Sequence, residues 1–309
     1  MGLADTVTKA YMRENTVFAD AFNYLIYDGK AIVDPEKLKE LDTTEIALPF
    51  GAAGEDAVQK YRDVLKSAVV KEDGEAAYIL LGIENQTEIH YAMPVRNLIY
   101  DALQYGKQVA DIAAAHRKQN SEKGHSRGEY LSGFYREDQI TPVITLVVHF
   151  GANEWDGPLS LHDMMRVQNK NLLRFVPDYP IHLIDPAKLS AVDLEKFSTS
   201  LREVMGYIKY SKDKTHLAEF VSGNPRMRIE ANAARVIKAI TNTPMNIPEG
   251  DGVIDMCKAI EDMMNDSKTE GALEALAGLV KDGLLSIKDA ACRAHMTESE
   301  FEAAMKKLS

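Results

Sequence analysis

Asp63, Glu84 and Gln86 are the residues of this 309-residue chain whose types and spacing point most directly to chemistry. Glu84 and Gln86 close the apolar run Ala77-Tyr78-Ile79-Leu80-Leu81-Gly82-Ile83. Side chains alternate along an extended strand, so a carboxylate and an amide two positions apart leave its end on one face. Asp63 heads a second run, Val64-Leu65-Lys66-Ser67-Ala68-Val69-Val70, and Lys71-Glu72-Asp73-Gly74-Glu75 reads as the hairpin turn between the two. An antiparallel pair joined in this way carries Asp63 and Glu84 to the same end of the sheet. Two converging carboxylates with a polar partner suit a hard cation such as Mg2+, which takes oxygen ligands and keeps several waters. Without metal, two such carboxylates repel one another. Arg96 and Tyr100 lie one helical turn apart beyond the second strand, placed to contact phosphate or to hold a carboxylate. A surface pairing of Arg96 with Glu88 or Asp101 is the competing reading. Histidine is the usual general base at neutral pH, so His90 suggests that role, against a half-buried structural role for the His90-Tyr91 pair.

The elements that must position these groups follow from periodicity. Thr6 to Tyr27 has helical spacing, with Val7, Tyr11, Phe18, Phe22 and Leu25 near one face, and Asp28-Gly29-Lys30 stops it. Thr44 to Pro49 reads as a short strand and Phe50 to Asp56 as a loop. Pro94 sits at the first turn of a long helix to about Arg117, with Val95, Leu98, Ile99, Ala102, Tyr105, Val109 and Ile112 as its apolar stripe. Strand, strand and returning helix make an α/β unit. Arg117 to Arg127 reads as an exposed loop. Pro142 to Phe150 is the strongest β-branched run and is expected as a central strand. Leu161 to Val167 reads as a short helix, Tyr179 to Ile184 as a strand, and Val192 to Lys209 and Asp213 to Ile240 as helical, with a break near Ser222 to Pro225. Thr243 to Gly252, with two prolines and two glycines, is the clearest linker. It divides the chain into a domain at 1–245 and a helical extension at 246–309. In that extension Ser286 caps one helix, and Thr297 with Glu300 forms a capping box for the next, a helix-turn-helix-like pattern.

Composition sets the class. Apolar residues make up 45% and charged residues 27%, so a globular core can be buried. Cys257 and Cys292 are the only cysteines, too few for a disulfide framework or a cysteine zinc cluster. The first residues lack a basic stretch before an apolar one, and no window reaches the length of a membrane span, so a cytoplasmic chain without membrane contact is expected. A net charge of −11 disfavours indiscriminate nucleic-acid binding. Ser200 to Ile240, by contrast, holds eight Lys/Arg against four Asp/Glu. Its Lys209, Lys212 and Lys214 make it the candidate phosphate-facing surface, with a solvated face as the alternative.

Together these residues resemble the Rpn family of recombination-promoting nucleases and putative transposases, within the PD-(D/E)XK superfamily. The resemblance spans about Thr6 to Tyr210. It rests on Phe18-Ala19-Asp20-Ala21-Phe22-Asn23, Tyr61-Arg62-Asp63-Val64, Gly82-Ile83-Glu84-Asn85-Gln86, and Ile89-His90-Tyr91-Ala92-Met93-Pro94-Val95-Arg96-Asn97-Leu98-Ile99-Tyr100-Asp101-Ala102-Leu103. It implies a restriction-endonuclease-like mixed sheet flanked by helices, and cleavage of DNA phosphodiester bonds with Mg2+, or with Mn2+ in its place. Position by position, Asp63 and Glu84 match the metal-binding acids, and Asp20 matches an auxiliary acid of the metal site. Gln86 stands where the superfamily usually has lysine. Lysine would put a positive charge beside the attacking water, whereas an amide only orients it by hydrogen bonds. A nuclease-fold protein that binds DNA or regulates without useful turnover is the alternative, and a tail-mediated homo-oligomer is left open.

Overall fold

The computed structural model describes residues 2–41, 44–47, 58–61, 63–72, 75–119, 126–248, 250 and 252–307. The single N-terminal helix expected from periodicity is two helices, α1 (Leu3–Arg13) and α2 (Asn15–Tyr27), separated by an extended Glu14 with ψ 128°. The cause lies in the sheet below. The ammonium of Lys66 donates to the Arg13 carbonyl and, at 2.6 Å, to the Asn15 side chain, and it stands 4.8 Å from the Phe18 ring centroid. A continuous helix would keep that carbonyl for its own ladder, so the break supplies the acceptor that a buried lysine requires. Burial pulls the Lys66 pKa below its ordinary value. Asp28 (φ 53°) and Gly29 (φ 86°) end α2 as expected, and a Cβ at Gly29 would lie 2.7 Å from the Lys196 carbonyl oxygen.

Next come β1 (Lys39–Glu40) and a small antiparallel pair, β2 (Thr44–Ala47) with β3 (Val58–Tyr61). The loop expected at Phe50 to Asp56 lies outside the described residues. β4 (Val64–Glu72) and β5 (Glu75–Gln86) then form the long hairpin, with register from Val64↔Ile83 to Glu72↔Glu75. The expected turn residues Asp73 and Gly74 also lie outside the described residues. α3 (Met93–Gln119) crosses back, α4 (Arg127–Ser132) follows behind a Ser126–Glu129 capping box, and β6 (Val143–His149) enters parallel to β5. The loop expected at Arg117 to Arg127 is therefore helical at both ends, and 120–125 lie outside the described residues.

Beyond β6, the helix expected at Leu161 to Val167 is only a single turn at His162–Met164, followed by the short α5 (Lys170–Leu173) and then β7 (His182–Ile184). The five-stranded sheet has the order β1-β4-β5-β6-β7, antiparallel across β1, β4 and β5 and parallel across β5, β6 and β7. As expected, the β-branched β6 is interior, with buried residues along nearly its whole length.

The helix expected over Val192 to Lys209 is interrupted, giving α6 (Ala191–Leu194) and α7 (Leu201–Tyr210). α8 (Lys214–Val221) and α9 (Ala231–Thr241) flank a strand that periodicity does not suggest. This is β8 (Arg228–Glu230), paired with β9 (Val253–Asp255) beyond the linker. Met245 and Met256 are buried in the main core with α7 and α9, so the linker is sewn onto the core. α10 (Met256–Lys281), α11 (Ile287–Arg293) and α12 (Glu298–Lys307) end the described chain. A separate apolar cluster forms only further along, where Ala290, Ala291 and Phe301 pack with Leu273, Leu276 and Val280.

Alternation along the strands defines two faces. Ile83, Leu81, Leu146 and Val148 join α1, α2, α7 and α9 in the main core. Glu84 and Thr145 look to the other face, under α3. The apolar stripe expected on α3 is not what it buries: Ile99 and Val109 are 36% and 37% exposed, while Asn97, Tyr100, Asp101 and Gln104 are buried. Polar partners on the sheet explain this inversion. The Thr145 hydroxyl donates to Asp101 at 2.6 Å, and Tyr105 and Gln108 bond the backbone of Val143 and Thr141. The chain is thus an α/β protein with a mixed central sheet flanked by helices and a helical C-terminal region, compatible with a PD-(D/E)XK-like fold.

Candidate active site

Continuing the β4–β5 register one step past Val64↔Ile83 sets Asp63 across from Glu84, on the α3 side of the sheet. Asp63 itself is a bend rather than a strand residue. That bend lets its carboxylate accept the Asn85 backbone N–H at 2.9 Å, which pins the head of β4 to the end of β5. Its second oxygen faces the Lys9 ammonium of α1 at 3.5 Å, and the side chain remains 18% exposed. Glu84 is fully buried and forms an ion pair of 2.9 Å with the Arg96 guanidinium.

Arg96 reaches Glu84 because of how α3 starts. The Met93 N–H closes a turn on the His90 carbonyl, and Pro94 presets the helical φ at a position whose missing N–H costs nothing. Arg96 and Tyr100 then share a face one turn apart. Arg96 Nε donates to the Tyr100 hydroxyl at 3.1 Å, and the guanidinium lies 5.6 Å from that ring's centroid. Burial works against the charged guanidinium, but Glu84, Tyr100 and Asp63 outweigh it and hold the Arg96 pKa above its ordinary value. The Tyr100 pKa is also raised, first by burial and then by the negative field of Glu84, with Arg96 opposing. Both side chains therefore sense both carboxylates, and the four groups form one electrostatic cluster.

The repulsion expected between two acids is met by a cation on each, Arg96 on Glu84 and Lys9 on Asp63. Nothing in the sequence distinguishes Lys9, where it is one charge on the polar side of an amphipathic helix. The competing surface pairings of Arg96 are not formed. Asp101 is occupied by Thr145 and by the Tyr179 hydroxyl, and Arg96 turns inward to Glu84.

Gln86 ends β5 opposite His149, and its carbonyl accepts the Phe150 N–H at 2.7 Å and faces the His149 ring at 3.3 Å. Alternation puts its side chain on the Glu84 side. A cavity of about 360 Å3 opens beside Arg96 and Tyr100, walled also by His90, Val95 and Ile99. The Tyr91 hydroxyl is committed to Asp156 at 2.9 Å.

Asp20 does not join this cluster. It is buried on α2 and accepts five hydrogen bonds, from the backbone N–H and hydroxyl of both Ser198 and Thr199, at 2.6–3.1 Å. Asp20, expected as an auxiliary acid of the metal site, here has both carboxylate oxygens engaged in holding the entry to α7. The same contacts explain why the chain is not helical at Ser198 and Thr199. Among the described residues, no three His, Cys, Asp or Glu side chains gather as a metal cage.

The lysines expected to face phosphate lie on and between α7 and α8. Lys209 donates to the Ala187 carbonyl at 3.0 Å, Lys212 is held by the Asn153 side chain, and Lys214 opens α8 behind its Asp213 cap. α7 packs on the face opposite α3. In the tail, the Ser286 cap and the Thr297–Glu300 box form as expected, but α12 presents exposed Glu298, Glu300 and Glu302, the wrong sign for reading DNA. Among the described residues, no helix is long and apolar enough to cross a membrane.

Comparison with curated proteins and with solved structures returns no match. The family model described as "Putative transposase, YhgA-like" matches residues 30–227, which hold Asp63, Glu84, Gln86, Arg96 and Tyr100, and the chain belongs to that family.

Proposed function

We propose that the chain is a divalent-metal-dependent DNA endonuclease that hydrolyses phosphodiester bonds in the service of transposition or recombination. The observation that carries this reading is the meeting of Asp63 and Glu84 at one sheet end with Arg96 and Tyr100 over them. Family membership supports DNA as the partner. The donor set fits Mg2+ or Mn2+, because both ligand groups are hard carboxylate oxygens and the cations now resting on them mark where positive charge is stabilised. Asp63 and Glu84 would hold the metal, which when bound supplies Lewis-acid polarisation of the phosphate and a more acidic water. Arg96 is placed to donate to two phosphate oxygens in bidentate fashion as its carboxylate partner is engaged elsewhere. Gln86 orients the attacking water by hydrogen bonds but does not remove its proton.

Supercoiled plasmid nicked in Mg2+ or Mn2+ and left intact in chelator is the expected result. A second readout is independent of turnover: metal at about a hundred times its Kd should stabilise the fold by about 2.7 kcal/mol in a melting experiment. Nicking that continues in chelator would remove the metal from the mechanism. Gln86→Ala is expected to slow nicking by about ten- to a hundredfold, the worth of one hydrogen bond to a polar or charged group, measured in single-turnover cleavage. A rate equal to wild type would take Gln86 out of the site. The second reading, a nuclease-fold DNA-binding module without turnover, draws on the same two ion pairs and on an amide in the place of lysine. It predicts DNA binding with neither nicking nor a metal-induced shift in melting.

A further inference from the structure

The connection between β6 and β7 carries a surface that neither the cluster nor the basic helices account for. Residues 164–177 contain Arg166, Lys170 and Arg174 and no acid, in a chain whose net charge is −11. All three cations are exposed, and among the described residues none forms an ion pair with a carboxylate. Interleaved with them are apolar side chains turned to solvent, Leu172 at 57% and Phe175 at 75% exposure, with the Arg174 guanidinium 4.7 Å from the Phe175 ring centroid. Large apolar side chains held out among unpaired cations are unfavourable in water and are matched by a partner with negative charge outside and apolar surface within.

This tip stands on a stiff neck. Leu161 N–H bonds the Tyr179 carbonyl and Ile181 N–H bonds the Leu159 carbonyl, so the two sides of the connection run as a short ladder. The His162 ring sits 2.7 Å from the Val176 carbonyl, and its backbone N–H donates to Asp178 at 2.9 Å. The neck is tied to the site: the Tyr179 hydroxyl bonds Asp101, the neighbour of Tyr100, and Ile181 packs with Met93 and with Val147, the residue paired with Glu84. The neck of the arm is therefore anchored on the α3 side of the sheet, the side of Glu84 and Arg96.

We infer that residues 164–177 are a duplex-DNA-gripping arm, with Arg166, Lys170 and Arg174 on backbone phosphates and Leu172 and Phe175 wedged against a base step. The inference rests on the proposed nuclease reading for the identity of its partner. The chemistry is that of groove-binding proteins, in which cations neutralise phosphate while an apolar wedge enters between bases.

The test measures binding of a fluorescent duplex in Ca2+ across a salt series, so that no cleavage is required. Replacing Arg166, Lys170 and Arg174 together by alanine is expected to reduce the slope of log K against log salt by about two to three, at about 0.9 for each phosphate no longer neutralised. Phe175→Ala should weaken binding about five- to a hundredfold at unchanged slope. The combined variant Arg166→Lys with Arg174→Lys should keep the wild-type slope. These side chains are exposed, and equal melting of all variants verifies the fold. An unchanged slope in the alanine variant would overturn the arm, as would equal arm-dependent binding to anionic phosphatidylserine vesicles. Arm-dependent binding by a protein that does not nick would leave the arm standing and remove the nuclease reading. Nicking with an arm-independent slope would do the reverse.

Discussion

Asp63→Asn is expected to reduce DNA nicking by about a thousandfold or more while leaving the folded protein within about 1 kcal/mol of wild type. The rate figure follows from the several kcal/mol of charge stabilisation that a carboxylate-held metal supplies, at about 1.36 kcal/mol per factor of ten. The stability figure follows from geometry. An asparagine Oδ1 can still accept the Asn85 N–H, and the remaining partner, Lys9, is 3.5 Å away on a partly exposed side chain, where an ion pair contributes little. Glu84→Gln should lose as much activity but also stability, because it leaves the half-buried Arg96 guanidinium without its anion. Breaking one side of a buried pair costs about 3–5 kcal/mol, and the partial exposure of Arg96 places this case at the lower end. The measurement pairs plasmid nicking with urea denaturation for both variants. Nicking retained in Asp63→Asn would exclude it as a ligand. Loss of nicking that tracks loss of stability alone would mean that Glu84 serves as an anchor for α3 rather than in the chemistry.

The core of the candidate site is legible in the sequence because it depends on local rules. A strand period of two fixes which side chains share a face of the β4–β5 pair, and a helical turn fixes that Arg96 and Tyr100 share a face. What is not legible is where isolated charges find partners. Asp20 sits in a motif that resembles the auxiliary acid of a metal site, and nothing nearby in sequence reveals that its partners are Ser198 and Thr199. Lys9 and Lys66 look alike as lysines in amphipathic elements, yet one reaches Asp63 and the other is buried beneath a helix break.

The fold shows the same division. The strands β4, β5, β6 and β7, the long returning helix and the tail caps follow from apolar runs, Pro94, Ser286 and Thr297. The side of α3 that faces the sheet does not, because binary patterning assumes an apolar interface. Here Thr145 and the backbone at Thr141 and Val143 select Asp101, Gln108 and Tyr105 instead, leaving Ile99 and Val109 toward solvent. The basic bias after Ser200 is visible in the sequence and points to Lys209 and Lys212. Tertiary contacts commit those two to Ala187 and Asn153. The shorter basic run at 164–177 has fewer cations but no acids, and among the described residues its three cations form no ion pair.

Asp20→Ala is expected to destabilise the protein by about 3–5 kcal/mol, a large share of the roughly 5–15 kcal/mol typical of a folded domain. The carboxylate takes two backbone N–H groups and two hydroxyls that are partly buried. Hydroxyls can rotate toward other acceptors, but the two N–H groups cannot, and each buried donor left unmet costs about 1–3 kcal/mol. Asp20→Asn should be intermediate: one oxygen survives, while the new amide N–H2 points a donor at donors. Loss would spread from the α2–α7 contact toward Tyr11, whose hydroxyl bonds Ser200 at 2.9 Å in the same turn. The decisive comparison is with Asp63→Asn. Urea denaturation should show a large loss for the Asp20 variants and almost none for Asp63→Asn. Nicking below the Asp20→Asn melting range should remain within about tenfold of wild type, since a displaced α7 lies on the face opposite the cluster. An Asp20→Asn protein as stable as wild type but unable to nick or to gain stability from Mg2+ would return this carboxylate to the metal site.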